Sequence, residues 1–285
     1  MLRRCLPLAL LPAVLALGAC GAGAANGDPD RVDVVAAFYP LQFAAERVGG
    51  DAVSVTSLTK PGAEPHDLEL NPKQVGQITD ADLVVYLDGF QPAVDDAVKL
   101  AAADRALDVA VAGEADPHLW LDPGRLATVA DAIADRLAAV DPDGAEGYQA
   151  RAAALRADLE KLDQEYAEGL RTCQRRELIV SHAAFGHLAA RYDLEQIGLS
   201  GLSPEEEPSP RRLAEVTAEA REHKATTIFF ETLVSPKVAE TIARSVGART
   251  AVLDPIEGLE PGATGDYLSV MRTNLATLRG ALGCT

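Results

Sequence analysis

The chain has 285 residues, 48% of them hydrophobic, which is enough for a buried core and points to about two domains. Its formal charge is −17, with a pI near 4.7. No basic face is available to displace counterions from a polyanion, so nucleic-acid binding is excluded.

Residues 1–19 read as a signal peptide. Arg3 and Arg4 precede an apolar run, Leu6 to Leu17, that is broken by Pro7 and Pro12 and is too short to span a bilayer as a helix. The run ends in Leu17-Gly18-Ala19-Cys20, which resembles a bacterial lipobox, where the cysteine is lipidated and becomes the new N-terminus. Residues 20–31 would then be a Gly/Ala-rich tether. The expectation is an exported, extracytoplasmic protein held to a bacterial cell membrane by lipid on Cys20. Cys173 and Cys284 remain in the body. They are either one bridge or two free thiols, and export favours the bridge.

The body alternates strands and helices. Strands are expected at 32–38, 53–59, 82–87 and 106–110, and helices at 40–49, 71–81 and 92–101. Asn71 is a candidate N-cap with Pro72 in the first helical position. An amphipathic helix follows at 124–140. A long helical stretch then covers 144–172, with Leu155, Leu159, Leu162, Tyr166 and Leu170 forming one apolar stripe. After it come strands at 177–181, 195–199, 225–231 and 249–255. Helices are expected between and beyond them, at 183–192, 209–224, 235–247 and 266–282. This order predicts an α/β fold of two βα lobes, each with a central parallel sheet, joined by one long rigid helix. The lobes would be 32–143 and 173–285, and the linking helix 144–172.

Ligands of open parallel sheets sit beyond the carboxyl ends of the strands. Four residues follow such ends: His66 and His118 in the first lobe, His182 and Asp254 in the second. They lie far apart in sequence, which suits a cleft between lobes. Three imidazoles and a carboxylate suit Zn²⁺, which takes four N/O/S ligands tetrahedrally. His118 lies in ADPHLWLDP (115–123), where two Asp-Pro steps bracket it and the only tryptophan, Trp120. Proline restricts itself and the residue before it, so this segment is stiff enough to aim a side chain.

The segments PGAEPHDLELNP (61–72), DPHLWLDP (116–123), VSHAAFGHLAARY (180–192), GLSPEEEPSPRRL (201–213) and VLDP (252–255) occur in that order. Together they resemble the zinc/manganese-binding solute-binding lipoproteins of metal ABC transporters, the ZnuA/TroA-like cluster A-I. The resemblance covers essentially the whole chain after the lipobox. It implies metal ligation by His66, His118, His182 and Asp254, with Trp120 packed beside His118 and a membrane permease as partner. Histidine rather than glutamate at 182 implies zinc over manganese. It also implies a monomer that captures Zn²⁺ without chemistry. Manganese or iron delivery, or a surface adhesin role, are the alternatives.

Two departures from the family stand out. The segment before DPHLW carries no His-rich loop, and His187 stands where the family usually has tyrosine. His187 is expected to be a surface or packing residue, and His223 a solvated helix-end residue. Glu231, at a strand end, is either a surface acid or a hydrogen-bond acceptor orienting an imidazole. Glu64 is a minor candidate for an alternative metal oxygen, and Glu205 to Glu207 a solvated charge run. A zinc hydrolase is disfavoured. Asp254 would fill the position that catalysis needs open, and neither HExxH nor a nucleophile elbow is present.

Overall fold

The computed structural model describes residues 31–285. The expected signal peptide, Cys20 and nearly all of the tether lie outside the described residues. Among those described, no helix is long and apolar enough to cross a membrane.

The first lobe contains β1 (Val32–Ala36), α1 (Tyr39–Gly49), β2 (Val53–Ser57), α2 (Pro72–Asp80), β3 (Leu83–Tyr86), α3 (Pro92–Ala101) and β4 (Ala106–Asp108). Its sheet is parallel in the order β2-β1-β3-β4. The second lobe contains β5 (Glu177–Val180), α6 (Gly186–Arg191), β6 (Glu195–Gly198), α7 (Pro210–Glu222), β7 (Thr227–Phe230), α8 (Lys237–Val246), β8 (Arg249–Val252) and α9 (Tyr267–Leu282). Its sheet repeats the pattern as β6-β5-β7-β8, again parallel. Central strands of such sheets are covered on both faces, which is why β3 reads Leu-Val-Val-Tyr and is buried throughout.

Helix α4 (Pro123–Val140) follows, packed on α1 and β3 of the first lobe, and α5 (Ala145–Gly169) then leads to the second. Asp122 caps α4 by accepting the Gly124 N–H at 2.8 Å, and Pro123 takes the first helical position. The second Asp-Pro step of ADPHLWLDP is therefore a helix start. Helix α5 buries Leu155, Leu159, Leu162 and Tyr166 along the stripe seen in the sequence. It is no bare spacer. Arg151 donates to the Val48 and Gly49 carbonyls at the end of α1, and Arg47 of α1 pairs with Asp158 at 2.7 Å. Tyr166 donates to the Met271 carbonyl of α9 at 2.6 Å. One apolar core accordingly runs from β1 through α4 and α5 to α9 and one face of the second sheet. A smaller core fills the space among that sheet, α7 and α8.

Cys173 and Cys284 form a disulfide between chain positions 111 residues apart, tying the segment after α5 to the end of α9. The helix expected over 183–192 is shorter than its composition suggests. The Ala183 N–H donates to the Gly201 carbonyl and the Phe185 N–H to the Gln196 side chain, so the chain after β5 turns before becoming helical. His182 thus sits on the turn and only His187 on the helix.

Candidate metal site

Three imidazoles meet at one carboxylate. His66 is carried by the loop between β2 and α2. That loop is pinned by Gln91, which donates to Thr59 Oγ1 and to the Pro65 carbonyl, and by Gln74, which donates to the Leu58 carbonyl. His118 precedes a 3-10 turn, Leu119–Leu121. His182 lies two residues beyond β5, and Glu257 follows β8. The Nε2 atoms of His118 and His182 are each 3.1 Å from Glu257 Oε1, and that of His66 is 3.4 Å away. His118, His182 and Glu257 are at most 1% exposed. Among the described residues, His66, His118, His182 and Glu257 are the group whose ligand atoms all lie within 4.8 Å of one another.

These separations suit a cation. Tetrahedral bonds of about 2.0–2.1 Å require neighbouring ligand atoms roughly 3.3 Å apart, and the three nitrogen–oxygen distances bracket that value. The second Glu257 oxygen is buried without a hydrogen-bond partner. A buried carboxylate oxygen with no partner is costly in the absence of compensating charge.

The outer nitrogens are fixed by other carboxylates. His118 Nδ1–H donates to Asp116 Oδ1 at 2.7 Å, and the same oxygen accepts the His118 backbone N–H at 3.0 Å. The first Asp-Pro step therefore aims the imidazole. His182 Nδ1–H donates to Glu231 Oε1 at 2.9 Å, where the Ser181 hydroxyl also donates at 2.7 Å. Carboxylates placed this way leave Nε2 free to face a metal and raise ligand basicity. Trp120 is fully buried, with its ring 5.2 Å from that of His118, and its indole N–H donates to the Pro255 carbonyl at 2.7 Å.

Electrostatics follow from these contacts. Burial alone would raise the Glu257 carboxyl, but hydrogen bonds from His118, His182 and His66 hold it well below the usual range. Burial alone would lower His182, but Glu231 and Glu257 outweigh it and push the imidazole up to about 10. His118 is raised against burial by Asp116 and Glu257. Asp116 is held low by His118 despite its burial. Glu64 is pushed up to about 8 by burial and the charge of Glu257; its Oε1 accepts the His66 backbone N–H at 3.1 Å.

Asp254, expected as the fourth ligand, does not join the cluster. Its Oδ1 accepts the Ile256 N–H at 2.7 Å and its Oδ2 accepts the Thr232 hydroxyl at 3.1 Å. Both oxygens are thus spent locally, and the carboxylate that reaches the imidazoles is Glu257, three residues on. The signal missed is the turn itself: Asp-Pro initiates a local side-chain-to-backbone bond more readily than it projects a ligand. His187 also stands apart, donating to the Asp116 carbonyl at 2.9 Å. His223 pairs with Glu177 at 3.0 Å on the far side of the second lobe. Glu64 is not among the clustered ligand atoms, and Glu205 to Glu207 are exposed.

The family described as "Zinc-uptake complex component A periplasmic" matches residues 34–281. Zinc-binding protein AdcA of Streptococcus pyogenes serotype M6 is 36% identical over 286 aligned residues, covering 87% of this chain and 56% of that protein. The chain thus spans about half the length of such curated relatives. The high-affinity zinc uptake system protein ZnuA of Bacillus subtilis is 32% identical, with 94% of both chains covered. The crystal structure of the Zn(II)-bound ZnuA-like domain of Streptococcus pneumoniae AdcA superposes with a TM-score of 0.77 at 35% identity, covering 88% of this chain and 99% of that one.

Proposed function

This chain belongs to the family of zinc-uptake complex component A, and from that premise we propose that it captures Zn²⁺ outside the cytoplasm and delivers it to a membrane importer of the ABC type. The observation that carries the reading is the meeting of three imidazole nitrogens, two of them fully buried, on one carboxylate oxygen at tetrahedral-edge distances. His66, His118, His182 and Glu257 are the ligands in this reading. Asp116 and Glu231 hold two of the imidazoles in register, and Trp120 fills the space beside His118.

Nitrogen-rich ligation by three histidines selects zinc over harder cations such as manganese, which favour carboxylate and carbonyl oxygen. With four protein groups around the ion, no position is left for an activated water, so the site binds without catalysing. The ligands come from loops of both lobes. A loaded site therefore ties the lobes together, and a permease could distinguish loaded from empty protein. A lipid on Cys20 would keep the protein at the membrane surface. The monomer suffices, because one chain supplies all four ligands.

The direct test is competition of Zn²⁺ against Mn²⁺ for the purified full chain. One Zn²⁺ per chain, undisturbed by excess Mn²⁺, supports the reading; Mn²⁺ displacing Zn²⁺ overturns it. Copper competition says little, because Cu²⁺ outranks Zn²⁺ at most such sites.

Below about pH 10 the metal-free His182 holds a proton that Zn²⁺ must displace, and His118 is raised in the same sense. Binding at pH 7 should release protons, and affinity should rise with pH and fall on acidification. Calorimetry in buffers of different ionisation enthalpy measures this. A binding enthalpy independent of the buffer would contradict it.

A further inference from the structure

The turn that brings Glu257 to the imidazoles is braced by groups that never reach them. Asn274 of α9 is 2% exposed and grips the Asp254 backbone from both sides. Its Oδ1 accepts the Asp254 N–H at 3.0 Å, and its Nδ2 donates to the Asp254 carbonyl at 2.7 Å. The Asp254 carboxylate accepts from the Thr232 hydroxyl on one oxygen and from the Ile256 N–H on the other. The next carbonyl, that of Pro255, accepts the Trp120 indole N–H. Between these anchors Ile256 is fully buried at φ 59°. A β-branched residue resists that left-handed region and stays there only when its surroundings over-determine it.

We propose that Asp254 is a positioning residue for the metal ligand Glu257: braced by Asn274 and Thr232, it holds Ile256 left-handed and so aims the Glu257 carboxylate at the three imidazoles. The proposal rests on the capture reading above and says what keeps its oxygen ligand in place. With the Asp254 acceptor gone, Ile256 relaxes toward negative φ. The chain direction at residue 257 then changes, and the carboxylate leaves the point where the imidazoles meet. Trp120 holds the same turn from the segment that carries His118. The oxygen ligand is therefore correctly set only when the ADPHLWLDP segment is seated against the turn.

The test is a double-mutant cycle on the full chain. Zn²⁺ affinity is measured by chelator competition for wild type, Asp254→Ala, Asp254→Asn, Glu257→Gln and the Asp254→Ala/Glu257→Gln pair. Co²⁺ absorption spectra report the ligand set. Asp254→Ala is expected to weaken Zn²⁺ about 10- to 100-fold, the usual range for residues that orient ligands. Asp254→Asn should recover most of this, since its carbonyl oxygen can still accept the Ile256 N–H. The double variant should bind no more weakly than Glu257→Gln alone, and the Co²⁺ spectrum of Asp254→Ala should shift toward that of Glu257→Gln. A general structural role would instead make the two losses multiply. Multiplying losses, or Asp254→Ala binding as wild type does, would overturn the proposal. Thr232→Val, which removes one brace only, enters the same cycle should Asp254→Ala not fold. A wild-type chain that fails to bind zinc would overturn the capture reading and this proposal with it. Normal wild-type binding, a weakened Glu257→Gln and an unaffected Asp254→Ala would overturn this proposal alone.

Discussion

Replacing His182 by alanine is expected to lower Zn²⁺ affinity by more than about 100-fold, because a lost ligand costs more than a lost orienting group. The change removes one of three nitrogens and also strands its supports. Glu231 is 2% exposed and already has one oxygen without a partner; without His182 its other oxygen keeps only the Ser181 hydroxyl. Glu257 loses one of the three hydrogen bonds that hold its carboxyl low. His223→Ala, whose imidazole pairs with Glu177 away from the cluster, should leave affinity within about twofold of wild type, and His187→Ala, whose imidazole reaches the cluster only through the Asp116 carbonyl, should cost far less than His182→Ala. Chelator competition on the three variants measures the contrast. Normal zinc binding by His182→Ala, or a loss of similar size in His187→Ala, would contradict the assignment.

Breaking the Cys173–Cys284 bridge is the second large effect expected, and it should fall on stability rather than on metal affinity. The bond closes a loop between positions 111 residues apart. In the chain-entropy model a loop of that length contributes about 4–5 kcal/mol, and removal of native disulfides costs roughly 2–5 kcal/mol in practice. For a chain of this size that corresponds to a fall in Tm on the order of 10 °C. The bond is not isolated: the Gln174 and Arg175 N–H groups both donate to the Leu282 carbonyl, so the segment after α5 is already docked on the end of α9. Cys173→Ser/Cys284→Ser should therefore still fold. The bridge lies just past the C-terminal end of α9, ten residues beyond Asn274 and so about 15 Å along the helix from the residue that grips the Glu257 turn, and zinc affinity of the folded variant should stay near wild type. Thermal melts and titrations on the same preparation separate the two readouts. An unchanged Tm would contradict the first expectation, and a large loss of affinity the second.

Much of this architecture is legible in the sequence because the local signals agree with one another. Strands β1, β3 and β5 are short apolar runs, and their neighbouring helices start at recognisable caps such as Asn71-Pro72 and Asp122-Pro123. The stripe from Leu155 to Tyr166 fixes the buried face of α5. What periodicity cannot show is where that face lies. The sequence reads as a rod between lobes, whereas α5 is stitched along its length to α1, α4 and α9.

The candidate site divides in the same way. His66, His118 and His182 lie beyond strand ends, where open parallel sheets gather ligand groups, so strand-end reasoning leads to all three. It fails at the carboxylate. Asp254 occupies the strand-end position, but a short side chain next to proline bonds its own backbone two residues on. Glu257 lies beyond the resulting turn, and its direction depends on a left-handed Ile256 that no propensity scale anticipates. The sequence leaves Glu231 between surface acid and orienting group; the fold buries it against His182, a contact between the ends of β7 and β5 that pattern alone does not fix.

Whether one Zn²⁺ is held by three imidazoles and Glu257 is decided by a crystal structure of the zinc-loaded chain. Zinc is expected about 2.0–2.2 Å from Nε2 of His66, His118 and His182 and from a Glu257 oxygen, with Asp254 still bonded to Ile256 and Thr232. Zinc bound through Asp254, or lodged away from these histidines with Glu257 turned aside, would contradict that assignment.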